Sequence, residues 1–233
     1  MIDVPYLLED QLEREADILL AQFSDAKEVP LAPPIPVEDI LEAHLQLTLE
    51  LGDLHTRLGV PLLGGKRDLL GALWVDDRAV FIDRGLDPYD NPRREGRFRF
   101  TVAHEIGHWQ LHREFLPSRV NQPSLFQGYP EPTILCRKSQ ARERIEWQAD
   151  FFAGSLLMPR VMILAAWKAR FGDTKTRVVQ PADDAELDRA CRDLAGTLVE
   201  KFVVSVEAMR IRLEHLHLLQ VGVVPQRILR RVL

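Results

Sequence analysis

Between Arg99 and His112 the sequence RFTVAHEIGHWQLH sets three histidines and one glutamate among apolar residues, where a helix would ordinarily build core. His104, Glu105 and His108 form the pattern H-E-x-x-H. On an α-helix, residues four apart share one face about 6 Å apart along the axis, so two imidazoles can reach a single ion. Glu105 is turned by about 100° from His104, off the ligand pair yet near a water held by that ion. The chemistry this pattern supports is hydrolysis at zinc, with a carboxylate as the base.

A catalytic zinc takes three protein ligands and keeps one position open. His112 lies eight residues beyond His104, about 12 Å along a helix, too far to share an ion whose bonds are near 2 Å. It is expected to pack or to support a ligand. Leu111 and Phe115 occupy the positions that glycine and a third histidine would need in the longer H-E-x-x-H-x-x-G-x-x-H motif. The third ligand is therefore sought on another element.

The helical pattern RERIEWQADFFAGSLLMP places Glu146 and Asp150 on one face, with Ile145, Phe152, Leu156 and Leu157 available for core. Ala149 and Ala153 are small enough to let this helix approach the histidine helix closely. We read Glu146 as the third zinc ligand and Asp150 as the acceptor that orients a zinc-binding histidine through its other ring nitrogen. Glu143, one turn earlier, is the competing carboxylate. Tyr129 is the one residue singled out as a second oxyanion donor.

Other segments frame these two helices. Tyr6 to Phe23 reads as a surface helix burying Leu8, Leu12, Ile18, Leu19 and Phe23, and the proline-rich VPLAPPIPVED ends it before a second helical pattern, VEDILEAHLQL. LTLEL and LLGALWVDDRAVFID have strand texture, the latter as a hairpin turning at Asp76-Asp77-Arg78. The stretch from Arg113 to Lys138 is expected to be a long loop, since Pro117, Pro123, Gly128, Pro130 and Pro132 preclude a long regular element. After RVMILAAWKARFG comes a polar linker around DTKTRVVQPADD, then helical patterns over Ala185 to Lys201 and Ser205 to His217. The expected organisation is α+β, with residues 1–172 as the main domain and 173–233 as a helical C-terminal region.

With 46% hydrophobic and 28% charged residues, the 233-residue chain has the profile of a folded domain rather than of disorder. Its first hundred residues carry 20 acids against 11 bases, and its last 33 carry two against six. The net charge of −5 argues against broad nucleic-acid binding, while the basic end leaves a local contact open. Charges interrupt the apolar residues at the N-terminus, so no signal peptide or membrane contact is expected and the location is expected to be cytoplasmic. Cys136 and Cys191 fit neither a disulfide framework nor a C-x-x-C site and are expected to be buried, inert thiols.

TVAHEIGHWQLH followed by IEWQADFFAGSLLMP resembles the ImmA/IrrE family of zinc metallopeptidases, with supporting similarity in PPIPVEDILEAHL, GALWVDDRAVFID and FVVSVEAMRIRL. The resemblance implies a mainly helical, zincin-like metallopeptidase domain with a small β-sheet and a C-terminal part similar to a helix-turn-helix. It implies Zn2+ held by His104, His108 and Glu146, with Glu105 as catalytic base. It also implies that the substrate is a helix-turn-helix transcriptional repressor, whose cleavage switches on stress-response or mobile-element genes. Asp150 stands where many relatives have asparagine, and aspartate fits the E-x-x-x-D pattern of thermolysin-like enzymes.

The rival expectation is a transcriptional regulator that binds DNA or protein through LAGTLVEKFVVSVEAMRIRLEHL without proteolysis, with Ser205 as N-cap and Arg210 and Arg212 on the second helix. The turn lacks glycine, and valine and methionine crowd the face that would read DNA.

Overall fold

The computed structural model describes residues 4–60, 62, 68–116, 132–137, 143–181 and 183–222. Most of the 113–138 segment, Tyr129 within it, and the basic end beyond residue 222 lie outside the described residues.

Helix α1 spans Glu9–Lys27 and buries Leu12, Ala16, Leu19, Leu20 and Phe23. The expected stripe is corrected here: Leu8 and Ile18 are exposed, because the face turned inward runs through the small Ala16 and the carboxylate of Glu13. The proline-rich segment leads into a short helix, α2 (Val37–Asp39), which widens into a π-turn at Ile40–His44.

Four strands follow one another into a mixed sheet: β1 (Thr48–Gly52), β2 (Leu69–Trp74), β3 (Ala79–Asp83) and β4 (Ile134–Arg137), with helix α3 (Leu54–Leu58) between the first two. Their order is β1-β3-β2-β4. The expected hairpin is β2–β3, β1 runs parallel to β3, and β4 pairs antiparallel with β2. Strand period two divides the sheet's faces: Leu73, Val80 and Ile82 enter the main core, while Ala72, Trp74 and Phe81 pack with Leu54 and Leu58 of α3.

Strand β4 corrects the expectation of a loop through to Lys138. Its four residues carry too little pattern of their own and become a strand by pairing, Leu73 with Ile134 and Gly71 with Cys136.

The histidine-bearing helix α4 spans Glu95–His112 and is buried on nearly every side, with Phe98, Val102, Ala103, Ile106 and Trp109 in the core. A helix enclosed by neighbours has no single polar face, which is why its metal-capable residues sit amid apolar ones. Helix α5 (Arg144–Leu157) lies along it, and α6 (Arg160–Phe171) follows after Pro159. Gly107 lies where α4 and α5 cross: a Cβ there would stand a tight 3.2 Å from the Ala149 backbone and from Phe152.

The chain continues as β5 (Arg177–Val179), α7 (Asp184–Ala195), α8 (Thr197–Phe202), α9 (Val206–His215) and β6 (Leu219–Val221). The segment expected as a polar linker contains β5, which acquires its partner only when β6 arrives in parallel some forty residues later. The helix expected over Ala185 to Lys201 breaks between Ala195 and Thr197. Ser205 caps α9 as expected, its hydroxyl accepting from Ala208 N at 3.1 Å. Cys191, Leu198, Phe202, Met209 and Leu213 join the same buried cluster as α1, α4 and α5. Among the described residues no single helix is long and apolar enough to cross a membrane; α5 and α6 pass that test only together, across a 54° bend.

Candidate metal centre

Helix α4 delivers His104, Glu105 and His108, and the first turns of α5 deliver Glu146, Gln148 and Asp150. Close approach at Gly107 and Ala149 brings the two sets together. His104, His108 and Glu146 are all buried, and their ligand atoms lie within 4.8 Å of one another, a group that could hold a metal ion. Glu143 stands outside this cluster: it is exposed, at the position just before α5.

Hydrogen bonds around the cluster fix which ring nitrogens face inward. Gln148 Nε2 donates to the Pro5 carbonyl at 2.9 Å, which turns its Oε1 toward His112 Nε2, also at 2.9 Å. His112 therefore donates through Nε2 and accepts at Nδ1, 3.0 Å from His108 Nδ1, so His108 is the donor there. That leaves the lone pair of His108 Nε2 pointing at His104 Nε2, 2.9 Å away. On the other side Asp150 Oδ1 accepts from His104 Nδ1 at 2.8 Å, so a neutral His104 turns a lone pair into the same gap.

Glu146 closes the third side, with carboxylate oxygens 3.2 Å from His104 Nε2 and 3.5 Å from His108 Nε2. Two lone pairs and a carboxylate facing one gap repel one another unless a cation stands among them, a proton or a metal ion. The donor set of two imidazoles and one carboxylate fits zinc.

The titration behaviour agrees with this electron-rich gap. Burial opposes charge on His104, yet its partners outweigh burial and hold it well above the ordinary imidazole value of 6.5. Cys136 stands beside His104, but burial pushes that thiol up and keeps it neutral, so Asp150 and Glu146 are the effective partners. Burial and the neighbouring His104 charge press His108 down to about 3. Glu146 falls to about 2 despite its burial, because His104 first and His108 beside it favour the ionised carboxylate. A proton on His104 can therefore stand in for a cation in this gap.

Glu105 is fully buried, and among the described residues neither of its oxygens has a hydrogen-bond partner. Burial pushes its pKa up to about 8, against the pull of His104. A buried carboxyl group left so costs roughly 1–3 kcal/mol, and a strongly shifted, buried acid of this kind is characteristic of functional sites. Gly71 of β2 makes room for it: a Cβ there would lie 2.4 Å from Glu105 Oε1.

Sequence reasoning did not single out Gln148, Gly71 or Gly107, and it treated Cys136 as inert. The signal for Gln148 was its place within IEWQAD, two residues beyond Glu146. Cys136 is buried as expected, but it forms a second group with His104 and Glu105 whose ligand atoms also lie within 4.8 Å of one another.

No curated protein matches the sequence. Among solved structures, a Mycobacterium tuberculosis transcriptional regulator is similar at 15% identity and a TM-score of 0.43, over 89% of this chain and 52% of that one. The chain thus spans about half the length of that structure. The sequence profile of peptidase M78, the IrrE N-terminal-like domain, matches residues 89–214, which include every residue of the cluster. That match covers more than half of the chain, and the chain belongs to the IrrE N-terminal-like domain family of peptidases.

Proposed function

We propose that this protein is a zinc-dependent endopeptidase acting on a protein substrate. The observation that carries the reading is the pair of Nε2 atoms, 2.9 Å apart and joined by Glu146, beside the buried and unpartnered carboxylate of Glu105. His104, His108 and Glu146 would hold the ion. Bound zinc supplies Lewis acidity, polarising a scissile carbonyl and acidifying a water.

The chain's own residues do the rest. Asp150 and the His112–Gln148 pair hold the two imidazoles in the tautomers that present Nε2. Glu105 takes the proton of the attacking water at a carboxylate oxygen and later gives it to the leaving amine. The surrounding core excludes bulk water, which strengthens each of these electrostatic effects.

The substrate we propose is a helix-turn-helix transcriptional repressor, whose cleavage would release stress-response or mobile-element genes. The rival, a regulator that reads DNA through α9, is disfavoured by its arginines. Arg210 pairs with Glu207 and Glu214, and Arg212 is buried against Glu13 and the Met158 carbonyl. Neither guanidinium is presented to a phosphate backbone.

Incubation with a candidate helix-turn-helix repressor, with zinc and with chelator, tests the reading. Zinc-dependent cleavage that Glu105→Gln abolishes while retaining metal is expected. Equal cleavage by that variant would remove Glu105 from its role, and salt-sensitive binding of specific DNA without cleavage would favour the rival.

A further inference from the structure

The first turns of α4 and α9 and one face of α5 enclose a cavity of about 630 Å³, within the size range of pockets that take small organic molecules. Trp147, Asp150, Phe151 and Gly154 follow one another at helical spacing, so α5 turns a single face toward it. Trp147 and Phe151 have ring centres 5.9 Å apart, and His215 of α9 stacks on Phe151 at 5.1 Å. Such walls suit a flat, apolar body.

Gly154 marks the space as one kept open. Inside a helix glycine is less stable than alanine, yet a Cβ at Gly154 would meet nothing within 4 Å. Packing gives no reason for glycine there. Its place on the same face as Trp147 and Phe151 aims any longer side chain into the cavity.

The charges on the wall decide the rest of the ligand. Asp150 accepts from His104, Glu207 pairs with Arg210 at 2.6 Å, and Arg212 pairs with Glu13 at 2.5 Å. Arg97 also lines the cavity, is exposed, and makes no ion pair among the described residues. The charge left for a ligand is therefore positive, and its complement is an anion.

We propose that this cavity is an effector site for a small, flat, largely apolar molecule bearing one anionic group, free in solution, and that its occupancy and zinc binding favour each other. The coupling rests on the reading of His104, His108 and Glu146 as zinc ligands; the pocket does not. Asp150 is the link. Its Oδ1 accepts from His104 Nδ1, while its side chain is 40% exposed and lines the cavity. A ligand seated there takes water from that carboxylate, and a desolvated negative charge is better tolerated with a cation behind His104. By linkage, zinc tightens the ligand as much as the ligand tightens zinc.

Two fluorescent probes of one skeleton test this on the full chain: anilinonaphthalene sulfonate, which is anionic, and phenylnaphthylamine, which lacks the sulfonate. Both should bind the parent with chelator present, and Gly154→Leu should lose both while its denaturant midpoint stays at or above the parent's. Arg97→Gln should weaken the sulfonate by roughly two- to fivefold and leave the neutral probe unchanged. Zinc should tighten the sulfonate. Probe binding that survives Gly154→Leu overturns the pocket, and equal weakening of both probes in Arg97→Gln overturns the anionic group. Slower cleavage of a candidate repressor by Gly154→Leu with no probe present would make the cavity a seat for the protein substrate and overturn the small-molecule reading. Sulfonate affinity unmoved by zinc that is demonstrably bound overturns the coupling, whereas a parent that binds no zinc overturns the metal reading and leaves the pocket standing.

Discussion

On the proposed reading Glu105 is the residue on which turnover depends, and its burial without a hydrogen-bond partner among the described residues sets it apart from His104, His108 and Glu146. Glu105→Gln should retain zinc while cleavage falls by about 10²–10⁴-fold, the usual worth of a positioned acid or base. Glu146→Ala should instead lose the metal, which elemental analysis of the purified variant would show. Gln148→Ala leaves His112 without its anchor and so leaves His108 unoriented; zinc affinity in a competition titration should drop by roughly 10–100-fold. Proton and metal compete for the same gap because His104 is held well above its ordinary value. A raised pKa means the metal-free site takes up a proton below that value, so zinc affinity should weaken on acidification, by about tenfold per pH unit if one proton is displaced. A pH-independent affinity would contradict that assignment. The H-E-x-x-H pair was legible in the sequence because both imidazoles ride on one helix, whose period alone sets their spacing. The support from Gln148 was not, since it depends on the Pro5 carbonyl, more than 140 residues away in the chain.

Helix α5 reaches the histidines because its contact with α4 is made of small groups, Gly107 on one side and Ala149 on the other. Gly107→Val should force the helices apart at a cost of about 1–3 kcal/mol, seen as a lower denaturant midpoint, and should weaken zinc binding in parallel. The alanines of α5 announced this approach in the sequence. Its partner glycine lies inside the motif itself, where its neighbours drew the attention. Gly71→Ala tests a different contact: the added methyl meets the Glu105 carboxylate, so cleavage should fall while zinc content holds. Strands separated widely in sequence were the least legible elements. The β2–β3 hairpin carries its own turn at Asp76-Asp77-Arg78, whereas β4 and β5 are short segments given strand form by partners found elsewhere in the chain. The approach of Cys136 to the cluster follows from that unseen register.

The C-terminal helices are tied to the first helix and to the helices of the candidate metal centre by a buried ion pair as well as by apolar packing. Arg212 of α9 bonds Glu13 of α1 and the Met158 carbonyl just beyond α5, and Arg160 of α6 pairs with the same glutamate. Arg212→Met should destabilise the protein by about 3 kcal/mol, since it strips a buried carboxylate of its better-buried partner; chemical denaturation would measure it. A cavity of about 630 Å³ opens where α4, α5 and α9 meet, lined by Phe100, Trp147, Phe151, Met158 and Ile211 and bordered by Asp150. Composition and amphipathic pattern revealed a mainly helical α+β molecule, but the buried Glu13–Arg212 contact joins residues about two hundred positions apart and leaves no local trace. The proposed chemistry needs one cation between α4 and α5. Anomalous diffraction at the zinc edge from crystals of the full chain should place a single peak among His104 Nε2, His108 Nε2 and the Glu146 carboxylate, and Glu146→Ala crystals should lack it. A peak elsewhere, or a parent crystal in saturating zinc with none at that position, would contradict the account.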